Sequence, residues 1–143
     1  MSLDSARLDT ALDTARTTLL AERVAEGYWE GELSSSALST AVACAAMQHV
    51  QTATGTEEHS ALILGGLHWL AEHANADGGW GDTTKSLSNI STTTLCWATF
   101  HAVPGALEEH AEVVAAAEQW LTKAAGGVTP DYLAPAIIAR YGK

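Results

Sequence analysis

Six aspartates, at positions 4, 9, 13, 77, 82 and 131, and six histidines are the side chains best suited to hold a metal or move a proton. Asp9 and Asp13 share one face of a helical run, where two carboxylates could attract magnesium. No adjacent carboxylate completes such a site, and a solvated helix face accounts for both. Asn75, Asp77 and Asp82, with Glu26, Glu30 and Glu32, could suggest calcium, which takes several oxygen ligands from one loop. Their spacing departs from that of a twelve-residue calcium loop, and loop solubility explains the acids. Cys96 and His101 lie on one helical run at a spacing poorly suited to a single metal ion, so they read as a core thiol and a surface histidine. His49, His59, His68, His73 and His110 are scattered without a paired spacing and read as surface or half-buried. Gly65-Gly66 falls inside a helical run and forms no phosphate loop, and no Gly-x-Ser-x-Gly nucleophile elbow is present. Nucleotide-dependent and hydrolytic chemistry therefore drop out. No catalytic residue, metal or organic cofactor is expected of this chain.

What the chain does carry is a repeated phrase. Glu26-Gly27-Tyr28-Trp29-Glu30-Gly31 returns as Asp77-Gly78-Gly79-Trp80-Gly81-Asp82, which places the tryptophans 51 residues apart. Leu70 stands at the same distance from Leu19, as do Trp120 and Leu121 from Trp69 and Leu70. A fixed period over three copies marks a repeat protein, whose units bury their apolar faces only by stacking. Beyond the loops the register shifts by three: Leu33-Ser34 returns as Leu87-Ser88, and Thr40 as Thr94.

The elements that carry these loops are helical. Leu8, Leu12, Ala15 and Leu19 form one face of a helix over 4–24. Ser34-Ser35-Ser36 offers cap chemistry for a second, small-residue helix over 37–53, and Thr56 for a third over 57–74, which Gly78-Gly79 ends. Asn89 or Ser91 opens a fourth that stops before Pro104, and a fifth runs over 107–124 to Gly126-Gly127. Thr129-Pro130-Asp131 starts the sixth. No segment alternates with period two. The expectation is an all-α fold of three helical hairpins, about 4–53, 57–102 and 106–141, in a single domain over 1–143. The first helix of each pair is amphipathic and the second richer in small apolar residues, which implies an outer and an inner layer. The last helix runs into Arg140-Tyr141-Gly142-Lys143 with no polar capping repeat, so the array should expose an apolar face. Either the chain is a piece of something longer, or a partner or a second copy covers that face.

Composition fits one domain with a real core: 143 residues, 47% hydrophobic. Seven basic against seventeen acidic residues give a net charge of −10 without a Lys/Arg cluster, which disfavours nucleic acid and anionic lipid as partners. No apolar run approaches the roughly 20 residues needed to span a bilayer. The N-terminus, with Asp4 and Asp9, does not read as a signal peptide, and a cytoplasmic protein is expected. Cys44 and Cys96, both in apolar helical runs, read as buried free thiols.

A small residue, then an aromatic and an aliphatic one, then Gly-x-Trp after a spacer resembles the QW repeat of squalene-hopene and oxidosqualene cyclases, the class II terpene cyclases. Gly66, Trp69, Leu70, Gly78 and Trp80 fall on that pattern, with Gly65 in place of its basic residue and Ala74 in place of its glutamine. Ala15, Leu19, Gly27 and Trp29 fit in the first copy, where Thr14, Thr18 and Arg23 depart. The third copy keeps Ala117, Trp120 and Leu121. The run from Leu19 to Ser35 resembles the opening of bacterial squalene-hopene cyclases in particular.

The resemblance implies an arc of an α/α-barrel, an architecture shared with protein prenyltransferase β subunits, and an N-terminal fragment of a longer chain. It makes Gly27, Trp29, Gly66, Trp69, Leu70, Gly78, Trp80 and Trp120 structural repeat residues, tryptophan and glutamine tying neighbouring helices together. With the glutamine missing from all three copies that tie lacks a partner, although tryptophan stacking on a helix end could survive. The bare alternative is that Gly-Gly-Trp is a helix stop with a hydrophobic plug. Family members protonate an alkene or epoxide with an Asp-x-Asp-Asp acid, which is absent here, so the chain is not expected to cyclise a polyprenoid alone. The complete protein is expected to be a cofactor-free isomerase, peripherally attached to a membrane. The expected partner is the remainder of the cyclase chain or a second copy. Two rival readings are a free-standing helical-repeat interaction module and a zinc-using prenyltransferase β-subunit-like protein.

Overall fold

A computed structural model of the chain describes residues 4–31 and 34–142. Leu33 of the shifted repeat, Glu32 of the acidic group and Lys143 lie outside the described residues. Among the described residues seven helices follow in order: α1 (Ser5–Ala21), α2 (Ala37–Thr54), α3 (Ser60–Glu72), α4 (Ile90–Ala102), α5 (Ala106–Glu109), α6 (Ala111–Ala125) and α7 (Pro130–Tyr141). Among the described residues there is no strand, only one isolated bridge between Arg23 and Trp29. No helix among them is long and apolar enough to cross a membrane.

The caps show why the elements begin where they do. Ser36 and Asn89 accept the backbone N–H groups of Ser39 and Thr92, each three residues on, and so satisfy one orphan donor of α2 and of α4. Thr56 does not cap the third helix, which starts at Ser60 rather than Glu57. The donor at His59 is met instead by Oε1 of Gln51, buried on α2, at 2.7 Å. The predicted helix over 107–124 is two helices, broken at His110 with φ −117° and ψ 30°. The ring of His110 stands edge-on to Phe100 at the break.

The chain divides into two compact units, Met1–Leu33 and Ser34–Lys143, so the helices of the first expected hairpin fall in different units. Within the second unit, α4 is the central helix. It packs against α2, α6 and α7 and buries Ile90, Thr92, Thr93, Cys96, Thr99 and Phe100. The outer helices bury one stripe each: Ile63, Leu67 and Leu70 on α3, and Val114, Ala117 and Leu121 on α6. The second expected hairpin is not a tightly packed pair, because the principal contacts of α3 are with α2, the helix before it, rather than with α4. In the same way α6 packs on α4. Within this unit α3 and α6 thus each seat on the long helix that precedes them.

Gly66 makes the α2–α3 contact possible. A Cβ at this position would overlap the sulfur of Cys44, so only a glycine lets the two helices approach this closely. Cys44 and Cys96 are both buried and both free. Burial, with the neighbouring Cys44 adding to it, pushes the Cys96 thiol up to about 12, far from a reactive thiolate.

Candidate functional site

The loop between α3 and α4, residues 73–89, carries Gly78 and Trp80 of the repeat residues together with Asn75, Asp77 and Asp82. Trp80 is 1% exposed, and its indole N–H donates at 2.9 Å to the carbonyl of Leu70 in the last turn of α3, which also accepts the backbone N–H of His73 at 3.2 Å. Its backbone is held on both sides: its N–H donates to the Thr93 hydroxyl at 2.9 Å, and its carbonyl accepts from Asn89 N–H at 3.0 Å. The ring lies against Phe100, 6.2 Å between centroids.

Helix α3 ends at Glu72, well before the Gly78-Gly79 pair that the sequence reading makes its stop. The glycines instead build the turn that returns Trp80 to the helix end. Asn75 N–H donates to the carbonyl of Gly79 and Gly78 N–H to the carbonyl of Asn75. In the first unit Val24 N–H donates to Tyr28, Gly27 N–H to Val24, and the Trp29 indole to Leu19. All three bonds recur at the spacing that separates Trp29 from Trp80, so the period read from the sequence is a period of hydrogen bonds. Gly27 and Gly78 both sit at positive φ, +94° and +87°. The surroundings differ: Trp29 is 46% exposed and lies beneath the Arg23 guanidinium, which also donates to Gly27 O at 2.8 Å.

Two carboxylates knit the loop to its neighbours. Asp77 accepts from the Ser88 hydroxyl at 2.6 Å, from Gly79 N–H at 3.1 Å and from the indole of Trp120 on α6 at 3.0 Å. Partial burial pushes its carboxyl up, but the hydrogen bonds from Ser88, Gly79 and Trp120 outweigh it and leave the group below the usual carboxylate range. Asp82 accepts from the Thr92 hydroxyl at 2.6 Å and from the Asn89 amide at 2.9 Å. Those bonds, with Arg140 nearby, hold it low against a small desolvation effect. The backbone carbonyl of Asp82 also accepts from the Ser36 hydroxyl at 2.7 Å, so one residue links the caps of α2 and α4.

These aspartates are therefore hydrogen-bond anchors, a role that loop solubility does not describe. The residues whose roles escape the sequence reading are Asp77, Asp82, Ser88 and Thr93. The available signal is Asp77 two residues before Gly79, the spacing at which an aspartate accepts a backbone N–H in its own turn.

The other candidates are placed as follows. Leu70 and Trp80 meet directly, Gly78 backs onto Ala116 of α6, and Trp120 joins through Asp77. Trp69, half-buried on α3, stacks on the exposed ring of His73 at 4.1 Å between centroids. Gly66 lies away from the loop, at the α2–α3 contact, and Gly27 and Trp29 belong to the first unit. Cys96 is buried while His101 is exposed, facing Glu118 at 3.6 Å. Among the described residues no group of three His, Cys, Asp or Glu side chains could hold a metal ion.

Acid should weaken this hub. The folded carboxyls of Asp77 and Asp82 lie below their unfolded values, so the unfolded chain binds more protons. The stabilisation is complete above the ordinary carboxylate range and fades as pH falls through the folded values. Melting temperature should drop between about pH 5 and about pH 3, and an Asp77→Asn/Asp82→Asn double variant should show a shallower drop. An unchanged profile would remove the two groups from the account; both are largely solvated, so the effect is a modest one.

A family model for the squalene-hopene cyclase N-terminal domain matches residues 12–133. No curated protein and no solved structure matches the chain. The matched span takes in both Gly-x-Trp loops, and the chain belongs to the squalene-hopene cyclase N-terminal domain family.

Proposed function

We propose that this chain is a scaffold portion of a squalene-hopene-cyclase-like protein, without catalytic power of its own, whose complete form cyclises a polyprenoid. The observation that carries the reading is the recurrence of the same three hydrogen bonds in both loops, each set ending with a tryptophan on a leucine carbonyl. Such residues fix where helices end.

The electrostatics point the same way. Protonating an alkene requires a carboxylic acid that holds a proton and gives it up at once. Asp77 and Asp82 are held as carboxylates by donors that surround them, so both are acceptors and poor proton donors. In this reading the loops are diverged QW repeats and the complete protein is a triterpenoid-forming isomerase. The missing glutamine tie is replaced by the Asp77–Trp120 bond between the loop and α6, and the partner is the remainder of the cyclase chain.

Two measurements test this together. The native gene product, detected in its source cells, should be several times heavier than this chain, and the isolated chain incubated with squalene should give no cyclic product. A native product no heavier than the chain itself would overturn the scaffold reading, and cyclisation by the isolated chain would overturn its non-catalytic role.

A further inference from the structure

A cavity of about 400 Å³ opens in the second unit between the C-terminal half of α2, the start of α3 and the residues that follow α4. The described residues that line it all belong to that unit. It lies among helix ends, away from the lateral faces on which one repeat stacks against another. Its deepest lining residues are Ile63 and Val103, 2% and 6% exposed, and Gln51, 9% exposed. Leu64, 51% exposed, and Pro104 stand at the mouth.

The hydrogen bonds of Gln51 fix which way its amide points. A backbone N–H can only donate, so the atom that meets His59 N–H at 2.7 Å is the amide oxygen. The Ser60 hydroxyl donates to the same oxygen at 3.4 Å. The amide nitrogen is left on the other side with two N–H donors and no partner among the described residues. It is not sealed in the core, because no fully buried side-chain nitrogen or oxygen among those residues is orphaned. A side chain that is nine-tenths buried thus keeps its free donors for the cavity that it lines.

The surroundings narrow what can meet those donors. Among the described lining residues Glu57 is the one that carries charge, with no Lys or Arg beside it, and the chain as a whole has a net charge of −10. An anion is repelled from such a site. The Gln51 nitrogen calls for an acceptor, and Ile63 and Val103 call for an apolar group next to it. We propose that the cavity binds an uncharged ligand with a short aliphatic group and a carbonyl oxygen, the carbonyl accepting from Gln51 and the aliphatic group resting on Ile63, Leu64 and Val103. Its volume lies within the roughly 300–1,000 Å³ of small-molecule sites. A free amide and the backbone carbonyl of a peptide offer the same chemistry, and the test separates them. The proposal concerns the second unit alone, so it can fail while the scaffold reading stands.

Isovaleramide is the first probe, added to the intact chain and followed by two-dimensional amide NMR. The side-chain amide signals of Gln51, identified by their loss in Gln51→Glu, should shift and saturate with a dissociation constant on the order of 1–10 mM. Isovalerate and isopentylamine, which keep the shape but carry a charge, should bind at least about 10-fold more weakly. Gln51→Glu keeps an oxygen for His59 N–H, and with it the start of α3, but puts an acceptor where the donor was. Binding, read from the backbone amides of Ile63 and Val103, should fall at least about 10-fold. Leu64→Ala, at an exposed position, should also weaken binding by about 10-fold. The second probe is leucine blocked at both ends as its N-acetyl methylamide. Binding at least about 10-fold tighter than that of isovaleramide assigns the site to a peptide segment, and binding no tighter assigns it to a free small molecule. Failure of both probes to bind would overturn the proposal, as would equal binding of either charged probe, or binding that survives Gln51→Glu or Leu64→Ala undiminished. Gln51 amide protons already slow to exchange in the free chain would overturn it too, since another part of the chain would then hold them.

Discussion

Trp80→Ala should cost about 3–5 kcal/mol, a sizeable share of the roughly 5–15 kcal/mol that holds a domain of this kind together. The residue is among the largest fully buried side chains, and its removal opens a void against Phe100 between the helix end and the loop. It also strips the Leu70 carbonyl of its indole donor. Two further variants separate these effects. Trp80→Phe keeps most of the bulk and loses the donor, so it should cost only about 1–2 kcal/mol. Trp29→Ala removes the same hydrogen bond from an indole that is nearly half exposed, and should cost about 1 kcal/mol or less. Urea denaturation of the three variants measures the set. A loss below about 0.5 kcal/mol for Trp80→Ala would mean that the loop tryptophan is not a plug.

Gly78→Ala should be nearly as damaging, at about 2–5 kcal/mol. The backbone at Gly78 has φ +87°, a conformation that costs a side-chain-bearing residue about 1–2 kcal/mol. An added Cβ would also lie 2.8 Å from the carbonyl oxygen of Ala116. That atom belongs to the backbone of α6 and cannot yield without disturbing the helix, which adds about 1–3 kcal/mol of overpacking. Gly27→Ala is the internal control, since Gly27 shares the conformation at φ +94° while its Cβ would meet only the mobile end of Arg23 at 3.0 Å. It should cost about 1–2 kcal/mol. Urea denaturation again supplies the comparison, and equal losses at the two glycines would show that backbone strain dominates and that contact with α6 contributes nothing.

The contrast between those glycines indicates how far the sequence alone can be read. The repeat period is legible because Trp29 and Trp80 are rare residues at matched positions, and the helices because their apolar spacing and caps agree. Ser36, Asn89 and Pro130 mark helix starts by their own local chemistry, and those starts are found. The start of α3 is misplaced because its cap comes from Gln51, on a different helix. The break at His110 escapes for a similar reason, since the residue meets Phe100 from α4. Nor does composition distinguish an aspartate that keeps a loop soluble from one that gathers Ser88, Gly79 and Trp120, because two of those donors lie far along the chain from Asp77. The repeat period likewise gives no hint that α3 would seat on α2 in preference to α4.

The contact between Gly66 and Cys44 carries one more consequence. At the equivalent place α6 has Ala117 and α1 has Ala15, so the glycine belongs to this one contact and not to the repeat as such. The bare backbone at Gly66 and the thiol of Cys44 are thus a matched pair, and the helix that gains a side chain here can keep its place only if its neighbour gives one up. Gly66→Ala alone forces α3 away from α2, whereas Gly66→Ala together with Cys44→Ala trades a sulfur for a methyl group across the same contact.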